Sequence, residues 1–155
     1  MAHKLASVFE GWEGFNRSLV SAIAPLNREQ LAFRAAAEMR SVGEIALHIA
    51  DGRVDWFRRM SAPGSAELQA KIESRSAAPS EAGEICAWLD DTWRMIETTL
   101  SQWTVDDLAI TYNHPYQGKV YAVSRQWTIW RIMAHDIYHG GHLTEPPVVA
   151  PASSR

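Results

Sequence analysis

The feature that most constrains the fold is the run Ile85, Trp88, Leu89, Thr92, Met95, Ile96, Thr99, Leu100, Trp103. Apolar or small side chains return every three or four residues, the period of a helix with one dry face. Asp90, Arg94 and Glu97 take the opposite side. The spacing predicts a helix from Glu81 to Trp103 with Ser80 as its cap. One dry stripe needs others to cover it, and the chain carries three more. Leu5, Val8, Phe9, Trp12, Phe15, Leu19 and Ile23 predict a helix from Leu5 to Ala24, ended or kinked at Pro25. Val42, Ile45, Ile49, Trp56 and Met60 form the stripe of another, which stops at Pro63-Gly64-Ser65. It opens on Ser41-Val42-Gly43-Glu44, a capping box in which the serine bonds the third residue's N–H and Glu44 reaches back. Asp51 and Asp55 are expected to face solvent.

The last helix is expected from Ser124 to Leu143. Trp127, Trp130, Ala134, Ile137 and Tyr138 line one side, with the histidines on the other and Thr128 and Arg131 behind them. Little of it looks solvated, so it reads as central, with one side on the core and the other lining a cleft or a subunit contact. Gly140-Gly141 costs helix stability, roughly 1 kcal/mol per glycine relative to alanine, and suggests either fraying or close approach by another backbone. Asn27 to Arg40 is a polar connector with a helical turn at Glu29-Gln30-Leu31. Ser61 to Pro79 is a long connection with a short helix at Glu67 to Glu73. Leu108 to Tyr112 and Val120 to Val123 alternate weakly about Asn113-His114-Pro115-Tyr116-Gln117-Gly118, either a small hairpin or an irregular loop. Four stripes without strong strand signals argue for an all-α four-helix bundle, a single domain over residues 1–143, with 144–155 as a disordered tail rich in Pro, Ala and Ser.

Composition narrows the function classes. At 155 residues, 46% of them hydrophobic, the chain can build one core of its own. Fifteen basic against eighteen acidic residues leave a net charge of −3, and no basic cluster draws nucleic acid. The single cysteine, Cys86, excludes an intrachain disulfide and reads as a structural thiol in a reducing compartment. No apolar run is long enough for a membrane span and no signal-peptide core opens the chain. A cytoplasmic protein is expected. Seven tryptophans exceed what a small core needs, and with the sparsely solvated last helix they suggest a homodimer.

Chemistry concentrates in His135-Asp136-Ile137-Tyr138-His139-Gly140-Gly141-His142, which holds three of the six histidines. His135 and His139, four apart, share one helical face and together can grip a divalent ion. A third ligand must come from another element, and His48 is the natural donor. His142 lies two turns beyond His135, too far along the axis to join the same ion. Histidines at this spacing also occur as plain surface or hydrogen-bonded residues, and spacing alone takes the matter no further. Carboxylates commonly orient such ligands. Glu44, four before His48, and Asp136, beside His135, are the candidates, with the capping role preferred for Glu44. Arg131, four before His135, is suited to an anionic substrate group or to a salt bridge. Tyr112, Tyr116 and Tyr138 are candidate cleft walls or packing residues, and His114 is expected to face solvent.

Ser41-Val42-Gly43-Glu44-Ile45-Ala46-Leu47-His48-Ile49-Ala50 resembles a segment of the DinB/YfiT-like superfamily, and Ala134-His135-Asp136-Ile137-Tyr138-His139-Gly140-Gly141 resembles its H-[DE]-x-x-H-x-G segment. The similarity extends over about residues 5 to 143. It implies a four-helix bundle, often dimeric, with a divalent metal, commonly nickel or zinc, on three histidines that by position are His48, His135 and His139. Relatives include thiol S-transferases and thiol-dependent isomerases that use low-molecular-weight thiols, so a small-molecule substrate is expected. A metal-dependent hydrolase and a non-enzymatic metal-binding or interaction bundle are the alternatives. The chain departs from the family pattern at His142, where glutamine is usual, and after Leu143, where Thr144-Glu-Pro-Pro replaces an apolar helical turn.

Overall fold

The computed structural model describes residues 3–144. Seven helices are present there: α1 Leu5–Val8, α2 Trp12–Ile23, α3 Arg28–Ala32, α4 Val42–Arg59, α5 Ser65–Glu73, α6 Ala82–Gln102 and α7 Arg125–Thr144. A 3-10 turn at Val105–Ala109 and two strands, β1 Thr111–Tyr116 and β2 Lys119–Ser124, stand between α6 and α7. The four long helices alternate around one core, with α2 and α4 each packed on both α6 and α7. The fold is therefore mostly helical, but it is neither all-α nor a bare four-helix bundle. Among the described residues no helix is long and apolar enough to cross a membrane.

The stripe of α6 is realised in full: all nine residues from Ile85 to Trp103 are buried. Glu81, not Ser80, is the residue at its N-cap, and no side chain bonds there. The capping box on α4 forms as read, Ser41 Oγ accepting from the Glu44 N–H at 3.2 Å while the Glu44 carboxylate accepts from the Ser41 N–H at 2.8 Å. A second box, Asn27 with Gln30, starts α3 in the polar connector.

Two expectations need correction, and one alternative left open is decided. The first helix is two. Gly11 takes a left-handed φ of 95°, open to glycine at little cost, and starts α2 afresh after α1. The break turns Val8 and Phe15 outward while Leu5, Trp12, Leu19 and Ile23 stay in the core. The weakly alternating stretch is a true hairpin, paired from Thr111 with Ser124 to Tyr116 with Lys119. Its loop is only Gln117-Gly118, both at positive φ (48° and 75°), the geometry that matches the twist of paired strands. Pro115 is tolerated because a two-stranded ribbon has free edges.

The second correction concerns α7, whose faces are the reverse of the sequence reading. Its buried residues are Thr128, Ile129, Ile132, Asp136 and Gly140, whereas Trp127, Trp130, Ile137 and Tyr138 are exposed. The inward face is slim and partly polar because its polar atoms find partners inside. Thr128 bonds Tyr112 Oη at 2.8 Å and the Ser124 carbonyl at 3.0 Å. Slimness matters at Gly140, where a Cβ would stand 3.2 Å from Leu19 Cδ2. The close approach is by a side chain of α2, not by backbone. Thr144 closes α7, so it is not tail; the rest of the expected tail, 145–155, lies outside the described residues.

Candidate metal centre

His48 projects from α4, and His135 and His139 from α7, across the contact between those two helices. Their ring centroids are 4.5 to 4.7 Å apart, and one nitrogen from each lies within 4.8 Å of the others. His135 Nε2 and His48 Nε2 face each other at 3.0 Å. All three side chains are half-buried. Burial is the main cause that lowers each pKa, and the neighbouring rings lower those of His135 and His139 further. His135 falls to about 4. At neutral pH the rings are therefore uncharged, the form that binds a metal ion.

These residues fit a divalent ion. Nitrogens about 3 Å apart suit two ligands that each sit at roughly 2.0–2.1 Å from one centre. Room for the triad comes from Gly52, one turn after His48 on α4. A Cβ there would lie 3.1 Å from His135 Cε1. His142 does not belong to the cluster; its ring is exposed, 6.4 Å from that of His139.

The carboxylates proposed to orient the ligands do other things. Glu44 bonds Ser41 and pairs with Arg34, and it does not reach His48. Asp136 turns away from the histidines into the core. It accepts from Trp12 Nε1 at 3.1 Å and from Arg53 Nε at 3.0 Å, with Arg53 Nη2 2.9 Å away. Both members of this ion pair have no exposed side-chain surface. Arg53 also donates to Asn16 Oδ1 at 2.9 Å and to the Leu89 carbonyl at 3.2 Å, and Asn16 bonds Asp90 at 2.9 Å. The network thus joins α2, α4, α6 and α7 beneath the three histidines. His135 Nδ1, by contrast, is buried without a hydrogen-bond partner among the described residues.

Asp51, expected to face solvent, is only partly exposed. It accepts from Trp88 Nε1 at 2.7 Å and pairs with Arg75 at 3.0 Å, tying α4 to α6 and to the segment after α5. Asp55 is exposed as expected and pairs with Arg59. Arg131 is exposed, its guanidinium 5.2 Å from the Trp56 ring and 5.4 Å from that of Trp127. Tyr138 stands edge-on to His139 at 5.0 Å and to His142 at 5.4 Å. His114 is half-buried on β1, bonded to Arg59 and 5.2 Å from Trp56. Cys86 is partly buried, burial raises its thiol pKa, and its sulfur lies 3.7 Å from the Val20 carbonyl, all in keeping with a structural thiol. An open cavity of about 360 Å³ adjoins the cluster, lined by Trp127, Trp130, Arg131, Ala134, His135 and Tyr138.

The sequence reading missed Arg53, Asn16 and Gly52. A signal for Arg53 was present: it continues the row Ala46, Ala50, Arg53, Phe57 on the inward side of α4, just as Asp136 continues Ile129, Ile132, Asp136, Gly140 on α7. One charge of each sign stands on two facing stripes. Gly52 carried no signal, because its importance is the space it leaves for a ring on another helix.

A family profile described as the DinB superfamily matches residues 12–143. Among solved structures, the chain is similar to a DinB-like protein from Bacillus cereus ATCC 10987, with a TM-score of 0.70 at 17% identity, covering 93% of this chain and 91% of that one. No curated protein matches.

Proposed function

The chain belongs to the DinB superfamily, and from that membership and the histidine cluster we propose that it is a metal-dependent enzyme acting on a small molecule. Its site would hold one nickel or zinc ion on His48, His135 and His139. The observation that carries this reading is the convergence of three uncharged imidazoles from two helices beside an open cavity. Three protein ligands leave coordination positions free, the mark of a catalytic rather than a structural metal site.

When bound, the ion would supply a Lewis-acid centre able to lower the pKa of a coordinated thiol or water. The reaction class favoured is S-transfer or isomerisation with a low-molecular-weight thiol as co-substrate. The protein's own part is to hold three rings uncharged and converged. The helix contact sets their spacing, and Gly52 leaves His135 its place. The buried Arg53–Asp136 pair holds α7 to α4 immediately below the ligands. Aromatic side chains on the cavity side would limit water around the reacting groups.

Elemental analysis after dialysis against a mild chelator tests the metal site. Alanine at His48, His135 or His139 is expected to strip most of the metal, and His142→Ala to retain it. Full occupancy in His48→Ala, or loss only in His142→Ala, would show that another triad binds. Metal-dependent turnover of a thiol with an electrophile tests the reaction class. Metal binding without any such turnover would favour a hydrolase or a non-enzymatic metal-binding bundle.

A further inference from the structure

The cavity beside His135 has a chemical character that the metal ligands alone do not give it. Three of its six lining residues, Trp127, Trp130 and Tyr138, are large aromatics, and they are 45%, 68% and 67% exposed. Aromatic surface left open on a helix that packs on its other side is unusual for a folded chain without a ligand or partner. A volume of about 360 Å³ lies in the range of small-molecule sites, roughly 300–1,000 Å³. The site is shallow and open on one side, which suits a flat occupant lying along α7.

Its charge has one sign. Arg131, the sole charged residue of the lining, makes no hydrogen bond or ion pair among the described residues. It lies instead within cation–π range of the Trp56 and Trp127 rings, and its N–H fork has no partner among the described residues. The opposing carboxylates nearby are engaged elsewhere, Asp136 with Arg53, Asp51 with Arg75 and Asp55 with Arg59.

The geometry points to a binding site for a planar organic carboxylate. Its apolar body lies against Trp127, Trp130 and Tyr138, its carboxylate takes the fork of Arg131, and its far end reaches towards His135. This inference rests on the proposed metal-dependent activity only for the meaning of that far end. The carboxylate and the apolar body are held by Arg131, Trp127, Trp130 and Tyr138, none of which is a proposed metal ligand, so the two readings fail separately.

Isothermal titration calorimetry with 2-naphthoate and its neutral isostere 2-naphthamide tests the proposal, on protein stripped of metal and again after nickel loading. Metal-free wild type is expected to bind the acid at least ten-fold more tightly than the amide. Arg131→Gln is expected to abolish that preference while keeping the far-UV circular dichroism of wild type. Trp130→Ala is expected to weaken both probes several-fold. Equal affinity for acid and amide in wild type overturns the proposal, as does a preference that survives Arg131→Gln. Binding of the acid only in the nickel-loaded protein, unaffected by Arg131→Gln, would place the carboxylate on the ion and also overturns it. So does absence of binding together with a dimer, by light scattering, that Trp130→Ala dissociates, because the aromatic face is then a subunit contact. Failure of wild type to take up nickel would sink the metal-dependent reading and leave the acid-against-amide comparison fully informative.

Discussion

A missing side chain decides the shape of the histidine cluster as much as the three histidines do. Gly52 sits on α4 under the edge of the His135 ring, with 3.1 Å between the would-be Cβ and Cε1. Alanine is the better helix former by roughly 1 kcal/mol, so Gly52→Ala is expected to leave the helix content and melting behaviour close to wild type. The ring, however, must give way, and the 3.0 Å approach of its Nε2 to His48 opens. Nickel affinity measured by competition with a chromophoric chelator is expected to fall about ten-fold, the order seen when groups that support metal ligands are altered. Unchanged affinity would mean that the ring can move without disturbing the triad.

At the scale of the element, α7 shows where sequence patterning succeeds and where it stops. Its extent and its histidine face were legible, because periodicity and side-chain chemistry are local. Which face meets the core was not. Reading by hydrophobicity chose Trp127, Trp130 and Tyr138, whereas packing chose the narrower Ile129, Ile132 and Gly140, whose small profile lets α2 approach. The glycine pair separates the two causes. Gly140→Ala drives a methyl against Leu19 and is expected to destabilise by about 1 kcal/mol despite its helix propensity. Gly141 faces open space, so Gly141→Ala is expected to stabilise by up to about 1 kcal/mol. Urea unfolding of the two variants checks the opposite signs; equal shifts would refute the packing account. Conversely, α6 was read correctly along its whole stripe because every one of its inward residues is apolar or a self-satisfying threonine, so composition and geometry agree.

Across the whole molecule, the Arg53–Asp136 pair replaces part of the apolar centre with a polar joint among four helices. Such a pair contributes modestly as a unit, because desolvation offsets attraction, but losing one partner strands the other's charge and costs about 3–5 kcal/mol. Asp136→Asn and Arg53→Met are each expected to fall in that range by denaturant unfolding. The double variant is expected to lose clearly less than the sum, since neither charge is then left alone. Additive losses would mean that the two side chains act through separate neighbours. The joint was the part of the fold least open to sequence reading. Its partners lie 83 and 124 residues apart along the chain, and although the rows that carry Arg53 and Asp136 can be read locally, which stripes face each other cannot.

That separation has a bearing on how the molecule is made. During synthesis the guanidinium of Arg53 leaves the ribosome long before Asp136 does, and until the last helix arrives it has no counter-ion to enter the core with. A nascent chain that stops short of α7 can collapse its apolar faces only by burying an unpaired charge, at about 3–5 kcal/mol against the roughly 5–15 kcal/mol by which a whole fold is stable. It is therefore expected to be looser than the full chain and more readily cleaved by proteases. Closure waits for the same helix that brings His135 and His139, so a chain compact enough to survive is one that already carries all three histidines of the cluster.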